Sequence, residues 1–257
     1  VAIIGAGFGF GREIALGFAA DDAIVFGTAA SANEVLDLRG ASRGRVSLAV
    51  CDISKTAAVG AWAGGVSDAL DGAGLDILIT SAVALTSGSI GALTLDAIRH
   101  EFDVNLLGTL TVINAFLPAL RIARGRIVQI NSWAARVPLP FNGTSAASEA
   151  AIEALLAMYR SELKGLGIDL VIATTGTAKA TITGEPFSGP VKRQGDRQML
   201  PVFNSREAAA RVMEIAERQS PPVRIAIDHD AEVMLRAAYE IPAADMDAFC
   251  ARFLVPN

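Results

Sequence analysis

The chain has 257 residues, 52% of them apolar and 19% charged, which excludes a disordered polyelectrolyte and is ample for one large buried core. Its net charge of -5 argues against nucleic acid as a partner, because that binding draws on clustered Lys and Arg, and the basic group Arg39, Arg43 and Arg45 reads as a solvated face. Two cysteines, Cys51 and Cys250, are too few for a disulfide framework and fit a reducing cytoplasm.

Short apolar runs alternate with helical stretches, the pattern of a parallel sheet covered on both faces. In chain order, a strand over Val1–Ile4 leads through a glycine-rich turn into a helix over Gly11–Ala20. Strand Ala23–Phe26 precedes a short helix at Ser31–Leu38, and strand Val46–Val50 precedes a helix over Lys55–Leu70. Strand Asp76–Ile79 is followed by a long helix over Leu95–Arg121, and strand Arg126–Ile130 by a helix over Ser145–Leu163. Strand Asp169–Ala173 runs into residues 181–200, which are rich in Gly, Pro and polar residues and show neither period. That segment is expected to be a long loop, a substrate lid placed at the carboxyl end of the sixth strand. A helix over Ser205–Arg218, a strand over Val223–Ile227 and short helices beyond Asp228 complete the chain. The expectation is a single α/β domain over residues 1–257, with a doubly wound, seven-stranded parallel sheet and helices on both faces. No run approaches the roughly 18 uninterrupted apolar residues that span a bilayer, so a soluble, cytoplasmic protein with no membrane partner is expected.

The glycine turn carries chemistry in its own residues. The stretch VAIIGAGFGFGREIA is a strand, a tight turn and a helix start, in which Gly5, Gly9 and Gly11 form GxxxGxG with Phe10 between the last two. Such a turn brings backbone close to a pyrophosphate, while the helix N-terminus offers unpaired N–H groups; the alternative is that the glycines serve only helix-to-strand packing. His100 and His229 read as surface or satisfied histidines, and the spacing of Cys and carboxylates near them does not recommend a metal, so none is expected. Trp133, Phe141 and Phe187 are candidates for an apolar pocket or for plain core.

The motifs of the chain, taken in order, resemble the short-chain dehydrogenase/reductase family over essentially its whole length, and the stretches PFNGTSAASEAAIEALLAMYRSELKGLGIDLVIAT and SPPVRIAIDHDAEVMLRAA are similar to its hydroxysteroid and retinol dehydrogenase branch. The turn Ile4-Gly5 through Gly11 is similar to that family's TGxxxGxG. Asp52, in CDIS with Ile53, is similar to the aspartate that meets adenine; Asn105, in DVNLLGT, to its helix asparagine; and Ser132, closing GRIVQINS, to its catalytic serine. The resemblance implies a Rossmann fold and NAD or NADP as cofactor, bound by Gly5, Gly9, Phe10, Gly11, Asp52, Ile53, Ser81 and Ala82. It further implies alcohol/ketone interconversion on an apolar small molecule, in a homodimer or homotetramer, or in an assembly mixed with a related subunit. Thr28, Ala29 and Ala30 are neutral, and NAD against NADP stays open, since the sequence offers neither an acid after the second strand to hold a ribose diol nor a base to hold a phosphate.

The resemblance fails at the reacting centre. The family's tyrosine, thirteen residues after the serine, and its lysine four further on are here Ser145 and Glu149. Other departures surround the site: Ile4 stands for the usual Thr, Thr80-Ser81-Ala82-Val83 for NNAG, and Thr175-Gly176 for Pro-Gly. A phenol titrates near 10 and an alkanol far higher, so replacing one by the other could cost on the order of 7 kcal/mol in proton transfer. Glu149 and Ser145, four apart, share a helical face that Ser132 should oppose. Three functions follow: a nicotinamide-dependent oxidoreductase with a divergent site built from Ser132, Ser145, Glu149 and Asn105; a non-redox enzyme using Glu149 as general base; or a catalytically silent cofactor-binding or partner subunit. A purely structural role for the pair is also open, with Ser145 capping the helix and Glu149 favouring its positive end.

Overall fold

The computed structural model describes residues 1–86, 88–138, 142–176, 191–193, 205–251 and 254–256. In chain order the elements are β1 (Ala2–Ile4), α1 (Gly9–Ala20), β2 (Val25–Ala29), α2 (Ala32–Ala41), β3 (Val46–Val50), α3 (Thr56–Leu70) and β4 (Ile77–Thr80). There follow α4 (Leu95–Phe102), a π-helical turn at Asp103–Gly108, α5 (Thr109–Ala123), β5 (Arg126–Ser132), α6 (Gly143–Gly165) and β6 (Asp169–Thr175). The last elements are β7 (Val191–Arg193), α7 (Ser205–Glu217), β8 (Arg224–Ala226), α8 (His229–Glu240), α9 (Ala243–Ala251) and β9 (Leu254–Pro256).

Seven strands form one parallel sheet in the order β3-β2-β1-β4-β5-β6-β8, the doubly wound arrangement expected from the alternating runs. Successive strand residues serve opposite cores, as the two-residue period requires. Ala2 and Ile4, Ile127, and Leu170 and Ile172 face one cluster under α3, α5 and α6; Ile3, Val128, and Val171 and Ala173 face the other under α1 and α7. A buried Ile or Leu contributes about 1.5–3 kcal/mol, so these two layers hold the strand ends in fixed register.

Two details differ from the sequence expectation. Within the 181–200 segment, Val191–Arg193 pairs antiparallel with Leu254–Pro256, a three-residue strand too short for any period to reveal; the rest of that expected lid, with Phe187, lies outside the described residues. Phe141 lies outside them too. The helix over 95–121 is continuous through Ala123 but opens into a π turn at its middle. By length and composition this helix could cross a membrane, yet Val112, Ile113, Phe116 and Leu120 are wholly buried against the sheet.

Candidate active site

The glycine turn is built from main chain. Gly5 and Gly9 have φ of +77° and +57°, a left-handed backbone that glycine adopts without penalty. A Cβ on Gly11 would lie 2.2 Å from the Gly5 carbonyl oxygen, so only glycine lets α1 start this close to β1. A Cβ on Gly9 would meet nothing within 4 Å, so the turn is open on that side. Phe8, the N-cap of α1, gives no side-chain cap hydrogen bond, so its side chain does not close the positive end of the helix. An open cradle with a positive helix end fits the pyrophosphate of a dinucleotide. Phe10 packs its side chain on the core beneath the turn.

Neighbouring strand ends complete this half. Thr28 at the end of β2 accepts from Gly5 N–H through Oγ1 at 2.9 Å and from Ala6 N–H through its carbonyl at 2.8 Å. Ala82 abuts Gly5, whose Cβ would lie 3.0 Å from its backbone, and Ser81 N–H donates to the Ile4 carbonyl at 3.2 Å. Asp52 is exposed beyond β3; hydrogen bonds from the Ser54 hydroxyl and N–H hold its carboxyl below the usual range, so it stays an acceptor. The Ile53 side chain is in the core, which leaves only its backbone to face a ligand.

The far half is built from side chains. Ser132 ends β5; its Oγ accepts from Ala134 N–H at 3.1 Å, which leaves its own proton free to be donated. Its N–H donates to Glu149 Oε2 at 2.7 Å, so strand end and helix are joined through this carboxylate. Burial pushes the Glu149 carboxyl from its ordinary 4.5 up to about 7; the Ser132 N–H opposes the shift, while Glu153 and Glu101 add to it. Glu149 keeps 7% of its surface exposed, whereas Ser145 keeps none.

Ser145 does not cap α6. The helix starts at Gly143 with Asn142 as its N-cap, and the Ser145 hydroxyl donates instead to Glu101 Oε1 at 2.8 Å. Ser145 is therefore not the cap: the helix begins two residues earlier, at Gly143, which places Ser145 within its first turn. Glu149 lies buried in the second turn.

Glu101 went unnoticed in the sequence. It is fully buried, accepts from Thr86 N–H as well as from Ser145, and keeps Oε2 without a hydrogen-bond partner. Lying forty-four residues from Ser145, it offers no local spacing signal. Asn105, in the π turn, accepts from Ala84 N–H at 2.7 Å and donates to Ala84 O at 2.9 Å and Ser148 Oγ at 2.8 Å. The wide turn is what frees its side chain to reach both the segment after β4 and α6.

Deeper still, Glu153 joins Arg136, Arg224 and Asn131. Burial works to raise its carboxyl, but the Arg224 and Arg136 guanidiniums outweigh that and hold it below the ordinary value. No phenol reaches the crevice: Tyr159 donates to Asn114 Oδ1 at 3.0 Å between α6 and α5, and Tyr239 is 66% exposed on α8. Trp133 is fully buried with Met234 and Cys250 and is core rather than pocket.

A parallel sheet in this order, with a glycine turn opening its first helix, defines a protein of the dinucleotide-fold class. The sequence profile of the family described as short chain dehydrogenase matches residues 1–189. Human retinol dehydrogenase 16 is 31% identical over 186 residues, which are 72% of this chain and 58% of that protein. Mouse estradiol 17-beta-dehydrogenase 2 is 30% identical over 190 residues, 72% of this chain and 49% of that protein, so the match spans about half the length of these relatives. Among solved structures, a short-chain dehydrogenase from Streptomyces avermitilis superposes with a TM-score of 0.82 at 23% identity, covering 96% of this chain and 94% of that one. One from Burkholderia cenocepacia, solved in complex with NADP, superposes with a TM-score of 0.77 at 24% identity, covering 99% and 97%. This chain belongs to the short-chain dehydrogenase family.

Proposed function

We propose that the chain binds a nicotinamide dinucleotide across the carboxyl ends of its strands and interconverts an apolar alcohol and ketone, with Glu149 as proton carrier. The observation that carries this reading is the Glu149 carboxylate on Ser132 N–H at 2.7 Å, at the same carboxyl end of the sheet as the glycine turn. Bound nicotinamide would supply or accept the hydride. Glu149, as the acid, gives a proton to the substrate oxygen during reduction and, as the carboxylate, takes it back during oxidation. A group titrating near neutrality is suited to both directions, and the Ser132 hydroxyl can donate to the same oxygen. An apolar alcohol is favoured by the names of the relatives, a retinol and an estradiol dehydrogenase.

A second reading is favoured by a specific observation. Ser145 and Glu101 are fully buried and tied to each other, so the position of the family's tyrosine is filled and covered. A silent, cofactor-binding subunit has this property too. A panel of apolar alcohols and ketones, followed through the absorbance of reduced nicotinamide, separates the two. The expected result is turnover with an apparent pKa near 7, and a loss of at least about 100-fold in kcat for Glu149→Gln. Turnover that survives this substitution removes Glu149 from the chemistry, and none by the unsubstituted chain favours the silent subunit. Turnover without any change in nicotinamide would point to non-redox proton abstraction by the same carboxylate.

A further inference from the structure

The mouth of the crevice beside β2 holds a carboxylate that does not belong to the strand end. Glu34, in the first turn of α2, bends back so that Oε2 accepts from Ala30 N–H at 2.9 Å. The same oxygen lies 2.2 Å from where a Cβ on Gly7 would sit, so the carboxylate rests directly against the glycine turn. β2 pairs with β1 in parallel, and the turn is bonded to Thr28, so this is where the first strand-to-helix turn meets the end of the second strand. In dinucleotide folds an acid at that junction holds the adenosine ribose diol, whereas a base there accommodates a 2′-phosphate.

We propose that Glu34 is the residue that sets cofactor choice, making this chain selective for the dinucleotide with a free 2′-hydroxyl, NAD(H), over NADP(H). The inference rests on the dinucleotide reading above and sharpens it. Three observations carry it. The Ala30 N–H, a donor that a phosphate could use, is already taken by the chain's own carboxylate. The side chain at position 30 is a methyl group and brings no cation. Arg12, the cation nearest the turn in sequence, is held by Asp37 at 3.1 Å and lies 3.8 Å from Glu13. A 2′-phosphate bearing roughly −1.5 to −2 charge would meet this negative group, and Arg12 already has carboxylate partners.

A local role for Glu34 exists beside this one. Ser31 is the N-cap of α2 and accepts from Glu34 N–H at 3.3 Å, the capping-box spacing. Glu34→Gln keeps an acceptor oxygen for Ala30 N–H and so preserves the local structure while removing the charge. Calorimetric titration of the whole chain with NAD+, NADH, NADP+ and NADPH is the test, with thermal melting of both proteins alongside. The expected result is binding of NAD(H) at least about tenfold tighter than NADP(H), a ratio that shrinks as salt is raised. In Glu34→Gln the ratio should fall to about threefold or less, chiefly through tighter NADP(H), with an unchanged melting temperature. Equal affinities in the unsubstituted chain, or a ratio untouched by the substitution, overturn the role of Glu34 while leaving dinucleotide binding intact. Binding of none of the four forms overturns both readings.

Discussion

Around the glycine turn the crevice is lined by main chain, whereas beyond Ser132 it is lined by side chains drawn from four separate elements, and the two regions fail in different ways. At the turn, the backbone shape is fixed by φ angles and by the absence of a Cβ, so it does not depend on which side chains are ionised. In the far half, Glu101, Glu149 and Glu153 are all buried, and the charges of the other two bear on Glu149, so its state depends on which carboxyls are ionised. A dinucleotide cradle can thus persist while the reacting centre beside it is rebuilt.

The sharpest way to break this contrast is at Glu153. Glu153→Gln leaves the Arg224 guanidinium without a carboxylate in a site where the glutamate is only 3% exposed. The expected loss is about 3–4 kcal/mol in urea unfolding, toward the low end for a buried pair because Arg136 is 40% exposed. An unchanged midpoint would mean that the network is not a structural unit.

Next in size is the pH dependence set by Glu149. Its carboxyl is raised on folding, so the folded chain binds more protons than the unfolded one between pH 4.5 and about 7. Stability is therefore full below that window and falls as pH rises through it, by on the order of 3 kcal/mol. Melting curves across the window should show this slope, and Glu149→Gln should flatten it and match or exceed the unsubstituted chain at pH 8. The turn region predicts the smallest cost in stability. Gly11→Ala must displace the Gly5 carbonyl, for about 1–3 kcal/mol, yet it should weaken dinucleotide binding by at least about tenfold, at every pH. A variant that melts lower but binds equally well would erase the distinction between the two regions.

The same division explains what could be read from the chain. The strands, their parallel order and the glycine turn are local patterns of period and residue type, visible in a window of fifteen residues. The Ser145–Glu149 pair was legible as a departure because a family spacing pointed to it. Glu101 and Glu153 were not, because their partners lie forty-four and seventy-one residues away and only the sheet order unites them. Glu34 escaped for the opposite reason: Ser31-Ala32-Asn33-Glu34 has an ordinary capping explanation, and its contact with Gly7 arises only when β2 settles beside β1.

The Asn105 amide meets both the N–H and the C=O of Ala84, as a neighbouring strand would. Two opposed bonds to one residue resist rotation of either flanking peptide, so the stretch after β4 cannot swing while the helix stays put. Helix and loop are thus clasped as one unit by a single carboxamide.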